Sequence, residues 1–272
     1  MKIGISTASF FNKVSTEDAF DALRSLEIGV TEIFLSTFSE YSEEFVIPLA
    51  KNRGDIDVHS IHTLGLQFEP ELFSVSERVR QDSERVFDMI CNAGSILGAK
   101  YYTFHGPAKL KNQKYTLDFE RFGSYLNNAI ERAKKSGMKI SYENVHWCHF
   151  NEPQFFVNLK KECPDLYATL DIKQALQSGI DPLEFLDAMK GCVSTVHLCD
   201  LDKEGSTCLP GKGGYNFKKL FNELKKREIN APLLLEVYPK DYGDIKELKA
   251  VVEWINKQEV CYERKFETWQ IR

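Results

Sequence analysis

Leu170-Asp171-Ile172-Lys173-Gln174 begins at the end of a short apolar run, residues 167–170, and places a carboxylate directly after it. Short apolar runs bounded by polar residues are typical of strands buried on both faces. Three other runs end in the same way, with Glu143 after residues 140–142, His197 after 193–196 and Glu236 after 233–235. Four side chains of the types that bind metal ions therefore follow four predicted strands.

Strand and helix signals alternate along the whole chain. Ser15 and Asp18 stand in the spacing of a helix cap, and Gly137 follows a helical pattern where a helix would end. The predicted strands are residues 3–6, 32–35, 58–64, 101–104, 139–143, 167–171, 193–198 and 233–237. The predicted helices are residues 15–29, 43–51, 79–97, 118–135, 152–161, 181–189, 217–227 and 245–258.

Eight strand–helix pairs predict an α/β protein in which a parallel barrel is surrounded by helices, the (β/α)₈ or TIM barrel. No G-x-G-x-x-G motif follows the first strand, which argues against an open dinucleotide-binding sheet. We expect a single domain over residues 1–258 and a charged tail over residues 259–272.

Composition limits the classes of function. The 272 residues are 43% hydrophobic and 28% charged, with a net charge of −5, so bulk charge does not favour binding to nucleic acid. The sequence contains no membrane-length apolar run and no signal-peptide pattern at its start. Its seven cysteines form no Cys-x-x-Cys pair and are expected to be reduced thiols. We therefore expect a cytoplasmic protein without a membrane or nucleic-acid partner.

Active sites of (β/α)₈ barrels lie at the carboxyl ends of the strands. Glu143, Asp171, His197 and Glu236 follow the last four predicted strands, which are neighbours around such a barrel, so their side chains are expected to converge. Charged side chains are rarely placed at the ends of buried strands unless they are paired or bind a metal. Three carboxylates and one imidazole suit one divalent ion: Mn²⁺, Mg²⁺ or Co²⁺, with Zn²⁺ as an alternative.

The sequence resembles the sugar phosphate isomerase/epimerase superfamily of TIM barrels over roughly residues 2–257. This group also contains xylose isomerase, ketohexose 3-epimerases, inosose dehydratases and endonuclease IV. The segments that carry the resemblance are residues 141–144, 169–175, 196–200, 209–213 and 235–236. The resemblance implies that Glu143, Asp171, His197 and Glu236 are the metal ligands. It also implies that Glu143 and Glu236 act as the acid and the base on opposite faces of the substrate.

The resemblance also bears on the substrate. Gln174 occupies a position where the family commonly has a histidine, and an amide there can bind a sugar hydroxyl but is a poor metal ligand. His62 and His105 resemble two zinc ligands of endonuclease IV, but the nuclease's Asp-x-His motif is absent, so we expect both histidines to line a sugar pocket. Trp147 is expected to form a wall of that pocket, and Lys212 to bind a substrate phosphate.

The predicted function is a metal-dependent isomerase or epimerase that transfers a proton next to the carbonyl of a sugar or sugar phosphate through an enediolate. A dehydratase acting on a keto-cyclitol or polyol is the alternative. An abasic-site endonuclease and a non-catalytic sugar sensor are further alternatives. Homo-oligomerisation is expected by analogy with the family alone.

Overall fold

In a computed structural model, which describes residues 1–109 and 117–267, eight parallel strands close into a barrel in the order β1-β10-β7-β6-β5-β4-β3-β2. The barrel strands are β1 (Ile3–Ser6), β2 (Val30–Leu35), β3 (Asp57–Thr63), β4 (Tyr101–Phe104), β5 (Lys139–Glu143), β6 (Tyr167–Asp171), β7 (Val193–Leu198) and β10 (Leu233–Leu235). Two short strands, β8 (Asp200–Leu201) and β9 (Thr207–Cys208), form an antiparallel pair after β7. The predicted (β/α)₈ barrel is confirmed.

Helices cover the outside of the barrel. They are α1 (Ala19–Ser25), α2 (Glu43–Asn52), α3 (Glu77–Leu97), α4 (Phe119–Lys135), α5 (Pro153–Glu162), α6 (Ile172–Gln177), α7 (Pro182–Ala188), α8 (Phe217–Lys226) and α9 (Lys246–Glu267). Amphipathic helices pack their apolar faces against the strands and leave their charged faces in solvent, which explains the 28% charged residues of a chain with a large core. None of the helices in the described ranges has the length and hydropathy that a membrane span requires.

Strand pairing at the barrel seam depends on a glycine. A side chain at Gly4 would place its Cβ 2.0 Å from the carbonyl oxygen of Val30. The observed distance between β1 and β2 therefore requires a glycine at this position. The seam then closes through the register of Ile3 with Leu233, which pairs β1 with β10. As a result β5, β6, β7 and β10 are consecutive neighbours, as the convergence of their terminal residues requires.

Several local predictions differ from the structure; the first helix, for example, spans Ala19–Ser25 and not residues 15–29. The last helix was predicted to end at residue 258 but continues to Glu267, because no glycine or proline interrupts the sequence after Gly243. Helix α6 was not predicted; it begins directly at the end of β6, where the Asp171 side chain accepts a hydrogen bond from the Gln174 N–H at 2.7 Å. Strand β10 ends at Leu235, two residues before the predicted end.

Candidate active site

Four polar side chains meet at the carboxyl edge of neighbouring strands. Glu143 and Asp171 end β5 and β6, His197 is the last residue but one of β7, and Glu236 follows β10. Asp171 and His197 are partners in the register of β6 and β7. One potential ligand atom from each of the four residues lies within 4.8 Å of the others. The structure thus brings together all four residues that the sequence assigned to a metal, and they are called the quartet below.

The quartet is buried and rich in negative charge. Glu143, Asp171 and Glu236 are 1%, 0% and 9% exposed, so their carboxylates have lost most of their hydration. Burial raises the pKa of Asp171 to about 8, opposed by the charge of Lys173 and reinforced by Glu143 and Glu236. Such a concentration of buried carboxylates is stable only when cations or hydrogen-bond donors compensate it.

The Asp171 carboxylate provides a direct test of whether these residues fit a divalent ion. Its Oδ1 accepts the Gln174 N–H at 2.7 Å, whereas its buried Oδ2 makes no hydrogen bond to a described residue and has the Lys173 ammonium 3.4 Å away as an ion-pair partner. A buried carboxylate oxygen that accepts no hydrogen bond keeps its lone pairs available for a bound cation. With three carboxylates and one imidazole around it, the site matches the ligand preferences of Mn²⁺, Mg²⁺, Co²⁺ or Zn²⁺.

Glu32, on β2, lies on the other side of the His197 ring from the remainder of the quartet. Its Oε1 is 3.2 Å from His197 Nε2, while His197 Nδ1 is 3.1 Å from Glu143 Oε1. Glu32 is completely buried. Three hydroxyl groups donate to its carboxylate: Ser6 at 2.9 Å, Ser60 at 2.8 Å and Thr103 at 2.6 Å. Burial alone would lower the pKa of His197, but the carboxylates of Glu236, Glu32 and Glu143 raise it well above its usual range.

Two further histidines lie beside Glu143. His105 Nε2 is 2.7 Å from Glu143 Oε2, and the His62 ring lies edge-on to His105 at a centroid distance of 4.5 Å. His62 Nδ1 lies 3.2 Å from the Thr103 carbonyl oxygen, to which it would donate as the N–H tautomer. Burial would lower the pKa of His105, but Glu143 raises it to about 9. His62, His105 and Glu143 also present potential ligand atoms within 4.8 Å of one another.

Glu69 fixes the position of the His105 backbone. Its carboxylate accepts the His105 N–H at 2.9 Å, the Gly106 N–H at 2.7 Å and the Tyr102 hydroxyl at 2.6 Å. Burial raises the pKa of Glu69 to about 7, although these donors and the His105 charge oppose the shift. A Cβ at Gly65 would come within 2.3 Å of Glu69 Cδ, so the loop after β3 closes over this carboxylate only with a glycine there.

Two members of the quartet, Glu143 and Glu236, line a cavity of about 390 Å³, and Asp171 and His197 are not among its lining residues. Polar residues at its inner end are His62, His105, Glu143, Lys173, Gln174 and Glu236. Apolar residues form most of the outer wall: Phe11, Phe34, Leu64, Leu66, Trp147, Val237, Tyr238 and Pro239. A volume of this size accommodates a small organic molecule, with polar groups directed inward and carbon surface against the wall.

A family model described as the xylose isomerase-like TIM barrel matches residues 20–258. The chain belongs to this family. No curated protein matches the sequence significantly.

Several solved structures share the xylose isomerase-like barrel. An L-ribulose 3-epimerase has a TM-score of 0.83 at 17% identity, covering 100% of this chain and 99% of that one. The D-allulose 3-epimerase of Methylomonas sp. has a TM-score of 0.77 at 13% identity, covering 95% and 97%. A probable 3-DHS dehydratase involved in petrobactin synthesis in Bacillus anthracis has a TM-score of 0.75 at 13% identity, covering 94% and 99%. At these identities the likeness shows the fold.

Of the five residues predicted to bind substrate in this xylose isomerase-like barrel, four line the cavity. His62 and His105 form part of its floor, and Trp147 packs edge-on against His105 at a centroid distance of 5.8 Å. The Gln174 amide oxygen lies 2.5 Å from His146 Nδ1 and accepts the His146 N–H at 3.2 Å, so part of its bonding capacity connects α6 to the loop after β5.

Lys212 lies elsewhere. It is exposed and is not among the described residues that line the cavity. Its loop folds around the buried Asp200 carboxylate, which accepts backbone N–H groups from Gly211 at 3.2 Å and Gly213 at 3.1 Å. Its predicted role in binding phosphate stays a prediction.

Sequence reasoning passed over Glu32, Glu69 and Lys173. Glu32 was read as the first residue of a strand, yet the strand starts at Val30, so Glu32 lies well inside it. A charged residue inside a buried strand is a usable signal. Lys173 was also visible as a charge directly beside Asp171. Glu69 carried no such signal, because it lies in a 3₁₀ turn between loops.

Proposed function

We propose that the protein is a divalent-metal-dependent isomerase or epimerase of a sugar or sugar phosphate, which moves a proton next to a carbonyl group. The observation that carries the proposal is the buried quartet, two of whose members, Glu143 and Glu236, line the cavity. Family membership and the epimerase folds among the structural neighbours support the same class of reaction.

Glu143, Asp171, His197 and Glu236 would hold the ion, with Nδ1 as the histidine nitrogen that faces the other three ligands. Once bound, the ion would polarise the substrate carbonyl and stabilise negative charge on its oxygen. Glu32 would keep the His197 ring in this orientation through the ion-pair contact between its carboxylate and Nε2, 3.2 Å apart.

Glu143 and Glu236 both line the cavity and come from strands on either side of β6 and β7, so one carboxylate can reach each face of a substrate between them. One glutamate removes the proton from the carbon next to the carbonyl. The electron pair of that C–H bond forms a C=C bond, and the carbonyl oxygen takes the negative charge of an enediolate. Return of a proton to the same carbon from the opposite face re-forms the carbonyl and inverts that carbon. Return of the proton to the former carbonyl carbon, with transfer of the hydroxyl proton to the former carbonyl oxygen, moves the carbonyl instead.

A dehydratase is the second candidate, because a probable dehydratase shares the fold and because two histidines stand beside Glu143 on the cavity floor. In this reaction the enediolate loses a neighbouring hydroxyl group as water instead of regaining a proton. His105 or His62 would supply the proton that the departing hydroxyl needs. Both reactions share their first step, so only the products separate them.

Proton NMR in D₂O tests the proposal. Chelator-treated protein reloaded with Mn²⁺, Mg²⁺ or Co²⁺ is incubated with D-tagatose, D-allulose and L-ribulose, then stripped of paramagnetic ions before the spectrum is recorded. We expect deuterium at the carbon next to the carbonyl and an epimer or isomer as product. Loss of water from the product would favour the dehydratase, and an absence of exchange from every ketose, with each ion, would contradict the isomerase or epimerase.

A further inference from the structure

Lys173 is an unusual residue in the cavity floor. It is only 3% exposed, although a lysine ammonium is normally hydrated. Its Nζ lies 3.2 Å from Glu236 Oε2, 3.4 Å from Asp171 Oδ2 and 4.8 Å from the centroid of the Tyr238 ring. Two carboxylates at ion-pair distance favour the charged, ammonium form of the amine.

The ammonium contacts two of the four residues that would hold the divalent ion. A monovalent and a divalent cation that share the carboxylates of Asp171 and Glu236 repel each other at short range. An apolar residue at this position would avoid the repulsion and also the cost of burying the amine. A lysine at this position therefore weakens binding of the divalent ion. A role of the lysine in the reaction would explain why the site contains it despite that loss of affinity.

The position of Lys173 indicates what the contribution is. The side chain lines the cavity beside Gln174 and Glu236, so the substrate enters the space next to the ammonium. An ammonium has three N–H donors, and the contact with Glu236 engages one of them as a hydrogen bond. A donor held in a buried site stabilises charge that develops during the reaction more than it would in water.

We propose that Lys173 is a catalytic residue that donates a hydrogen bond to the substrate oxygen that becomes negative when the C–H proton is removed. This inference rests on the proposed function. Lys173 keeps its proton throughout: a glutamate takes the proton from carbon, the electron pair moves to the carbonyl oxygen, and no bond forms to nitrogen. The contact with Glu236 also fixes the direction of that carboxylate toward the substrate.

The test measures the Mn²⁺ affinity and the kcat of K173M and K173R. In K173M the affinity should rise and the kcat should fall. Calorimetric titration of the apo-proteins with Mn²⁺ should show K173M binding the ion about tenfold more tightly than wild type, because a like charge has been removed. At saturating Mn²⁺, the kcat of K173M for deuterium exchange into a ketose should fall by about 100-fold, with a smaller change in KM. K173R, which keeps the charge, should bind Mn²⁺ like wild type and recover part of kcat.

A merely structural lysine would give the opposite pattern, in which K173M binds Mn²⁺ more weakly and melts at a lower temperature. Equal or weaker Mn²⁺ binding by K173M overturns the proposal, and so does an unchanged kcat. If K173M does not fold, K173Q replaces it in both measurements. A wild-type protein that binds Mn²⁺ but exchanges no proton of any ketose overturns the proposed function and, with it, this role of Lys173. Failure in the Lys173 variants alone overturns only the present inference.

Discussion

The two halves of the barrel contribute differently to the candidate site. The ligand half, β5, β6, β7 and β10, supplies the quartet, and each member stands at or near the end of its strand. The support half, β1 to β4, supplies Glu32, His62 and, directly after β4, His105, which contact the quartet or line the cavity. The ends of four strands are enough to supply the candidate metal ligands. The orientation of the ligand side chains, however, depends on buried residues on the other side of the barrel.

Replacing Glu236 by glutamine in the ligand half should have the largest effect. The amide has nearly the same shape but cannot take up a proton, so we expect about a 1000-fold loss in the rate of deuterium exchange at saturating Mn²⁺. Exchange rates by NMR and unfolding curves by circular dichroism measure activity and folding separately. Exchange at the wild-type rate in a folded variant would remove Glu236 from the acid–base pair.

The support half is probed by E32Q. Without the carboxylate, the His197 ring loses the partner of its Nε2, and the dissociation constant for Mn²⁺ should rise about 10- to 100-fold. E69Q is the matched control, because Glu69 is also a completely buried glutamate but contacts no member of the quartet in the described hydrogen bonds. Equal Mn²⁺ binding by wild type and E32Q in calorimetry would show that the ring needs no such partner.

Glu69 itself gives a pH dependence. Its pKa is about 7 in the folded protein against an ordinary value of 4.5, so the folded state holds this proton more tightly than the unfolded state. The contribution to stability is complete below about pH 4.5 and is lost as the pH rises through 7, by roughly 3 kcal/mol in total.

In E69Q this part of the pH dependence should vanish. The glutamine amide can donate to the Tyr102 hydroxyl, which can turn toward Thr63 Oγ1 at 2.7 Å, while the amide oxygen keeps the two backbone donors. Denaturant unfolding of the apo-proteins between pH 5 and 8 measures the difference. Parallel pH profiles for the two proteins would place the titration on another group.

Lys212→Ala should have the smallest effect. Because the side chain is exposed and does not line the cavity, we expect the KM for an unphosphorylated ketose to change by less than about twofold. The same steady-state measurement with a ketose phosphate tests the sequence-based prediction. A rise in KM confined to the phosphorylated substrate would assign Lys212 to phosphate binding and would extend the site beyond the cavity.

The fold and the quartet were predictable because both leave a local pattern: apolar runs ending in charges, separated by helical periods. The position of Glu32 inside a buried strand was a usable signal, but its role and that of Glu69 were not predictable, because they depend on contacts with residues far away in sequence, such as Glu32 with Thr103 and His197. The Lys212 loop shows that one local sequence pattern can have more than one structural cause. A glycine-flanked lysine is typical of a phosphate loop, yet the glycines here pack the loop around Asp200.

The central claim is that the quartet forms one site for a divalent ion, and calorimetric titration of chelator-treated protein with Mn²⁺ tests it most directly. The account predicts one equivalent of Mn²⁺ per wild-type chain and loss of that binding in Asp171→Asn, with the unfolding transition retained. Binding by Asp171→Asn with wild-type stoichiometry and affinity, or no Mn²⁺ binding by the wild-type protein, would contradict it.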